Sequence, residues 1–212
     1  MARAERLEKM QEAILRYVKT YLGEIVSEIN LSKADGTSLT NVEVRLEFEQ
    51  KKTKGFLGGL KDKYQPADPD LMLIAFKGSS PVDYVEPKDH RSILDGAVNH
   101  RGDARGKGQE TVSLQLANIH QNDSDITSFA LGVICGTGFD KIAGAVVRFF
   151  DVTLGESLLG NSRFDITGQH TASVLGFIER TGHGWKFREA YKTGYATDFT
   201  KFADLARTKV GR

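Results

Sequence analysis

Two hydrophobic periods divide the chain into unlike parts. In the first part, from Ala4 to Ile29, apolar residues recur every three or four positions, with charged residues between them. These apolar positions are Leu7, Met10, Ile14, Tyr17, Val18, Tyr21, Ile25 and Ile29. Such spacing predicts one long amphipathic helix. Its apolar stripe must be covered, so we expect it to pack on the protein body, associate with a second copy or bind a protein partner.

Beyond residue 39 the period changes to two. Apolar Val42, Val44, Leu46 and Phe48 alternate with charged residues, which is typical of a half-buried strand. Further strands are predicted at Asp70–Phe76, Ala97–His100, Thr111–Leu116, Thr127–Cys135, Ile142–Asp151, Ser162–Thr167, Ala172–Glu179 and Trp185–Ala190. Turn-rich segments separate these strands, so the pattern favours an all-β, antiparallel sandwich or barrel over alternating βα units.

The chain is predicted to end in a short helix. Asp198 is a suitable N-cap, and Phe199, Phe202 and Leu205 follow at spacings of three on one face. The glycine- and lysine-rich stretch from Lys51 to Pro66 lacks the GxxxxGK[ST] pattern of a phosphate loop. We interpret it as a mobile surface loop between two strands.

Composition and motifs exclude several classes of function. With 29 basic and 28 acidic residues the net charge is +1, which argues against a dedicated nucleic-acid-binding protein. No apolar stretch is long enough for a transmembrane helix and no secretory signal is evident, so we expect a cytoplasmic protein. The sequence holds no HxxxH or GxSxG motif, and Cys135 lies in an apolar run typical of a buried thiol. We therefore expect no enzymatic activity.

The segment Leu94–Glu110 carries the most chemical information. An Asp-Gly turn and a strand are followed by a glycine-rich loop that contains acidic residues. Calcium binds six to eight oxygens, many of them on loops of this kind, so Asp95, Asp103 and Glu110 could converge on one ion. From the residues alone, a turn-rich hairpin without a metal remains the alternative.

Four segments in order, between Asp70 and Ala196, resemble the TerD family of tellurium-resistance stress proteins. The sequence "DGAVNHRGDARGKG" resembles the family's signature loop, and Asp70-Leu71 resembles the start of its preceding DLD strand. Phe139–Asp151 resembles a later strand, and "GWKFR" followed by "GYA" resembles the closing one.

The resemblance implies two packed β-sheets, a calcium site at one edge that includes Asp70, and a link to tellurite and chemical stress. It also implies a binding or scaffolding module instead of a catalyst. The implied domains are an N-terminal helix over residues 1–30 and a β-sandwich over residues 38–212.

The sequence also departs from the family pattern. Met72 replaces the second aspartate of DLD, and Ala104 replaces an asparagine. Arg101, Arg105 and Lys107 add positive charge to the loop. The alternative function is therefore a structural or assembly component without a metal, whose basic loop binds an anion or a partner.

Overall fold

The computed structural model describes residues 28–51, 67–102, 109–164, 168–182 and 184–207, apart from the side chains of residues 120–122. These residues form two antiparallel sheets. The strands are β1 (Glu28–Asn30), β2 (Val42–Gln50), β3 (Asp70–Lys77), β4 (Ser80–Val85), β5 (Ser92–Ile93), β6 (Val98–His100), β7 (Gln109–Leu114), β8 (Ser128–Ile134), β9 (Ile142–Asp151), β10 (Ser157–Phe164), β11 (Ala172–Arg180) and β12 (Trp185–Gly194). Sheet 1 has the order β10-β9-β2-β7-β6-β5, and sheet 2 has the order β1-β12-β11-β8-β3-β4.

The alternating residues of β2 show how the two sheets pack. Val42, Val44, Leu46 and Phe48 are buried in the cluster between the sheets, while the intervening charged residues lie on the outer face of sheet 1. The predicted all-β sandwich of two packed antiparallel sheets is therefore confirmed. It places the end of β6, the start of β7 and the beginning of β3 at the same end of the molecule, as the contacts below show.

Sheet 2 is covered on both faces. Helix α2 (Phe199–Arg207) buries Phe202, Ala203 and Ala206 against its outer face, so all seven residues of β8 are buried. The Phe202 ring occupies the space where a Cβ at residue 132 would lie, so only glycine fits at this position. The predicted short helix and its cap are confirmed, because Asp198 Oδ1 accepts a hydrogen bond of 3.0 Å from the Lys201 backbone.

The other described helix is α1 (Leu116–Asn122), and a 3₁₀ turn (Phe139–Lys141) precedes β9. Within the described residues, neither helix has the length and hydrophobicity required to cross a bilayer.

The prediction of a helix from Ala4 to Ile29 is wrong at its C-terminal end. Residues Glu28–Asn30 form β1 and pair with Lys186–Arg188 of β12, because the strand ladder satisfies their backbone and Ile29 packs against Gly160. The rest of that helix, and residues 52–66 of the predicted surface loop, lie outside the described residues. The proposed domain boundaries stay predictions, although β1 belongs to sheet 2.

Candidate functional site

Two of the four predicted calcium ligands come together at one end of the sandwich. Asp70 begins β3 in sheet 2, and Glu110 lies on the core-facing side of β7 in sheet 1. The Glu110 Oε2 atom accepts a hydrogen bond of 3.1 Å from the backbone N–H of Leu71. β4 pairs with β3 only from Leu73 onward, so the Leu71 N–H has no acceptor in β4. The Glu110 carboxylate accepts its hydrogen bond instead, and this bond links the two sheets.

His100 lies beside Glu110 in the same buried region. Their side chains are 0% and 1% exposed, and His100 Nε2 lies 3.2 Å from Glu110 Oε2. His100 Nδ1 accepts a 3.0 Å hydrogen bond from the Gly102 backbone, which places the proton of a neutral ring on Nε2. The Nε2 atom is not aligned for a hydrogen bond, so its contact with Glu110 is electrostatic. The pair fixes the chain just before residues 103–108.

Asp70 is electrostatically unusual. Its Oδ2 atom lies 3.1 Å from the ammonium group of Lys88. Its Oδ1 atom is buried and has no hydrogen-bond partner among the described residues. Burial raises the pKa of Asp70 to about 6, against the opposing effect of Lys88 and with a further contribution from the negative charge of Glu110. Asp70 is therefore a largely buried carboxylate that is paired with Lys88 at Oδ2, while its Oδ1 atom has no hydrogen-bond donor within the described ranges.

Asp95 does not join this pair. It is exposed in the turn between β5 and β6, where it has a φ of 53°. The register places this turn beside the far end of β7, since the Gln115 N–H bonds to the Ala97 carbonyl at 2.7 Å. Glu110 lies five residues back along β7, roughly 17 Å away at strand spacing. One ion cannot reach both carboxylates in this arrangement. Asp103, the fourth predicted ligand, lies outside the described residues.

Arg101 is turned away from the carboxylates. It forms an ion pair with Glu43 on the outer face of sheet 1, whereas Glu110 faces the core. Glu43 also binds Arg45 at 2.6 Å, and Arg45 reaches Glu156 at 2.6 Å. The positive charge of Arg101 is therefore neutralised on the opposite side of sheet 1. Arg105 and Lys107 lie outside the described residues.

Met72 supplies no ligand for a physical reason. It is buried in the apolar cluster beneath α2, together with Ile74, Phe76 and Phe202. A carboxylate at this position would have to be desolvated in that cluster. Sequence reasoning missed the roles of His100 and Lys88. His100 could have been found, because Val98 and His100 alternate with Asn99 along a strand whose even-numbered positions face the core.

The donor set fits a cation only in part. Calcium requires six to eight oxygens at 2.3–2.6 Å. The described ranges contain no group of three or more His, Cys, Asp or Glu side chains arranged to hold a metal. Asp70 Oδ1 fits as one ligand, whereas Glu110 is already engaged with Leu71. The rest of the coordination of a calcium ion would have to come from main-chain oxygens, water or residues outside the described ranges, such as Asp103.

The described residues define a β-sandwich domain of two antiparallel sheets, with Asp70 and Glu110 at the same end of it. The TerD domain matches residues 26–205, and the chain belongs to this family, which is related to tellurium resistance and stress. A crystal structure of a protein of unknown function, SAV2460, has a TM-score of 0.57 and 21% sequence identity to this chain. The similarity covers 80% of this chain and 97% of that one, and it shows the fold alone. No curated protein matches the chain.

Proposed function

We propose that this chain is a non-catalytic binding and scaffold protein of the TerD stress family that binds calcium weakly at Asp70. The observation that carries the proposal is the buried Asp70 Oδ1 atom, which has no described hydrogen-bond partner. An acceptor that has lost water without gaining a donor is stabilised by a cation. Asp70 would bind the ion directly, Glu110 would add negative charge beside it, and Asp103 stays a predicted ligand.

The absence of catalysis belongs to the same proposal. Cys135, the one thiol in the sequence, is buried and donates a hydrogen bond of 3.2 Å to the Gly138 carbonyl. A thiol in that setting is a structural residue instead of a nucleophile. Cytoplasmic location also stays a prediction, as does association through the part of the predicted Ala4–Ile29 helix that precedes Glu28.

Calcium-dependent thermal stability tests the proposal. A ligand that binds only the folded state raises the melting temperature by mass action. With a dissociation constant on the order of 1 mM, calcium at ten times that concentration should raise the melting temperature by about 3–5 °C. Magnesium at the same concentration should give a smaller shift, because it demands tighter octahedral geometry than a partial site provides.

Two variants locate the effect. Asp70→Asn should abolish the calcium shift because the amide carries no charge. Asp123→Asn is the matched control, since Asp123 is also paired with a lysine, Lys77, at 2.9 Å. The control should respond to calcium like the natural chain. A natural chain without any shift at millimolar calcium, or an equal shift in Asp70→Asn, would contradict calcium binding at Asp70.

The alternative is a metal-free structural component whose basic loop binds an anion. The ion pair between Arg101 and Glu43 removes one of its three basic residues from such a site. Phosphate that stabilises the protein where calcium does not would favour this alternative.

A further inference from the structure

We propose that Lys88 acts as an internal cation that competes with calcium for Asp70 and so sets the affinity of the site. The inference rests on the proposed function and concerns the regulation of the same site. Lys88 is not one of the predicted ligands, and it lies 18 positions from Asp70 in the sequence.

The geometry of the ion pair makes the competition direct. The Lys88 Nζ atom lies 3.1 Å from Asp70 Oδ2, and the two side chains are 55% and 19% exposed. The lysine thus reaches from solvent toward a carboxylate that is largely buried. A calcium ion bound to the same carboxylate would lie within a few ångströms of the ammonium group. Two cations so close repel each other strongly, so Lys88 must move away when calcium binds.

The connection from β4 to β5 holds Lys88 near its position. The Glu86 N–H bonds to the His90 carbonyl at 2.8 Å, which closes a turn around the lysine. Arg91 Nε donates to the carbonyl of buried Pro87 at 2.7 Å. Because the backbone is fixed on both sides of Lys88, its ammonium group stays within reach of Asp70 even after it has been displaced.

Lys88 contacts only one of the two Asp70 oxygens. It lies at Oδ2, while Oδ1 keeps no hydrogen-bond partner in the described part of the chain. A divalent ion can contact both oxygens of a carboxylate and carries twice the charge of one ammonium group. The Lys88 side chain is exposed enough to move into solvent when such an ion binds. The expected result is therefore competition between the two cations, with reduced calcium affinity but no complete block.

Calcium titration of three variants by isothermal calorimetry tests this role. Lys88→Gln removes the internal cation, and its calcium dissociation constant should fall roughly three- to tenfold, from the loss of an exposed ion pair and of nearby repulsion. Lys88→Arg keeps the charge and should stay within about twofold of the natural chain. Lys77→Gln is the matched control: it also removes a lysine paired with an aspartate, but away from Asp70. It should change the affinity less than about twofold.

The outcomes separate this inference from the proposed function. Calcium binding by the natural chain with equal affinity in Lys88→Gln and Lys77→Gln would overturn the role of Lys88 and leave the calcium site standing. Calcium binding by Lys88→Gln alone would support the competition and overturn calcium binding by the natural chain. Binding by neither would overturn both. Circular dichroism and the melting temperature in chelator verify that each variant is folded.

Discussion

Asp70 and Met72 lie two residues apart on the same side of β3, yet their surroundings differ completely. Met72 is buried beneath α2 in an apolar cluster. Asp70 lies where that cover ends, 3.1 Å from the Lys88 ammonium group and near the negative charge of Glu110, and its Oδ1 atom has no hydrogen-bond partner in the part of the chain that the structure describes. The covered region stabilises the fold through apolar burial. At the uncovered end, burial of the Asp70 carboxylate opposes folding, and the ion pair with Lys88 offsets this cost only in part, because the pKa of Asp70 is still raised.

The largest expected effect is in the covered region. Phe202→Ala should lower the free energy of unfolding by about 3–5 kcal/mol, because it empties the space above Gly132 that the ring fills. Urea denaturation measures the loss. Asp204→Ala, at an exposed position of the same helix, is the control and should change stability by less than about 0.5 kcal/mol. A loss below about 1 kcal/mol in Phe202→Ala would contradict the tight docking of α2.

An intermediate effect is expected at Glu110. Glu110→Ala should cost about 2–3 kcal/mol, because the Leu71 N–H is then buried without an acceptor. Glu110→Gln keeps a carbonyl oxygen for this bond and should cost clearly less in the same urea measurement. Equal losses in the two variants would show that the charge of Glu110, and not its hydrogen bond to Leu71, stabilises this end.

The smallest effect is expected at Asp70 and depends on pH. Burial raises the pKa of Asp70 to about 6 in the folded protein, from an ordinary 3.8. The folded state therefore holds the proton more tightly than the unfolded chain, and the stability contributed by this group falls as pH rises from about 4 to 6. In chelator, Asp70→Asn should be more stable than the natural chain by about 1 kcal/mol at pH 7, a value reduced for partial exposure.

That advantage should disappear near pH 4, where both folded proteins are neutral at this position. Thermal unfolding in chelator over a pH series measures the difference. An advantage that is constant with pH would mean that the carboxylate is not disfavoured in the folded state.

Much of the fold follows from local pattern. The alternation along β2 predicted its inward and outward faces, and Asp198 predicted the start of α2. The sequence could not distinguish the short strand β1 from the helical pattern before it, since Ile29 fits both the helical and the strand period. Only its pairing with β12 shows that this segment is a strand. Helix α1 was missed for a similar reason: it is seven residues long and follows directly from β7.

The site was less predictable because it depends on register between distant segments. From the signature loop we predicted that Asp95, Asp103 and Glu110 converge on one ion, because they are close in the sequence. The β6–β7 register instead separates Asp95 from Glu110 along the length of β7. Lys88 carries no sequence signal, because its position beside Asp70 arises from the crossover between the two sheets.

The bond from Leu71 to Glu110 has a consequence for dynamics. Most protected amides in a sandwich exchange with solvent hydrogen only when a strand separates from its neighbour. The Leu71 amide is instead held by one side chain from the opposite sheet, so a local opening that withdraws Glu110 is enough to break its hydrogen bond. Its exchange rate therefore reports the opening of this end of the sandwich while both sheets stay intact.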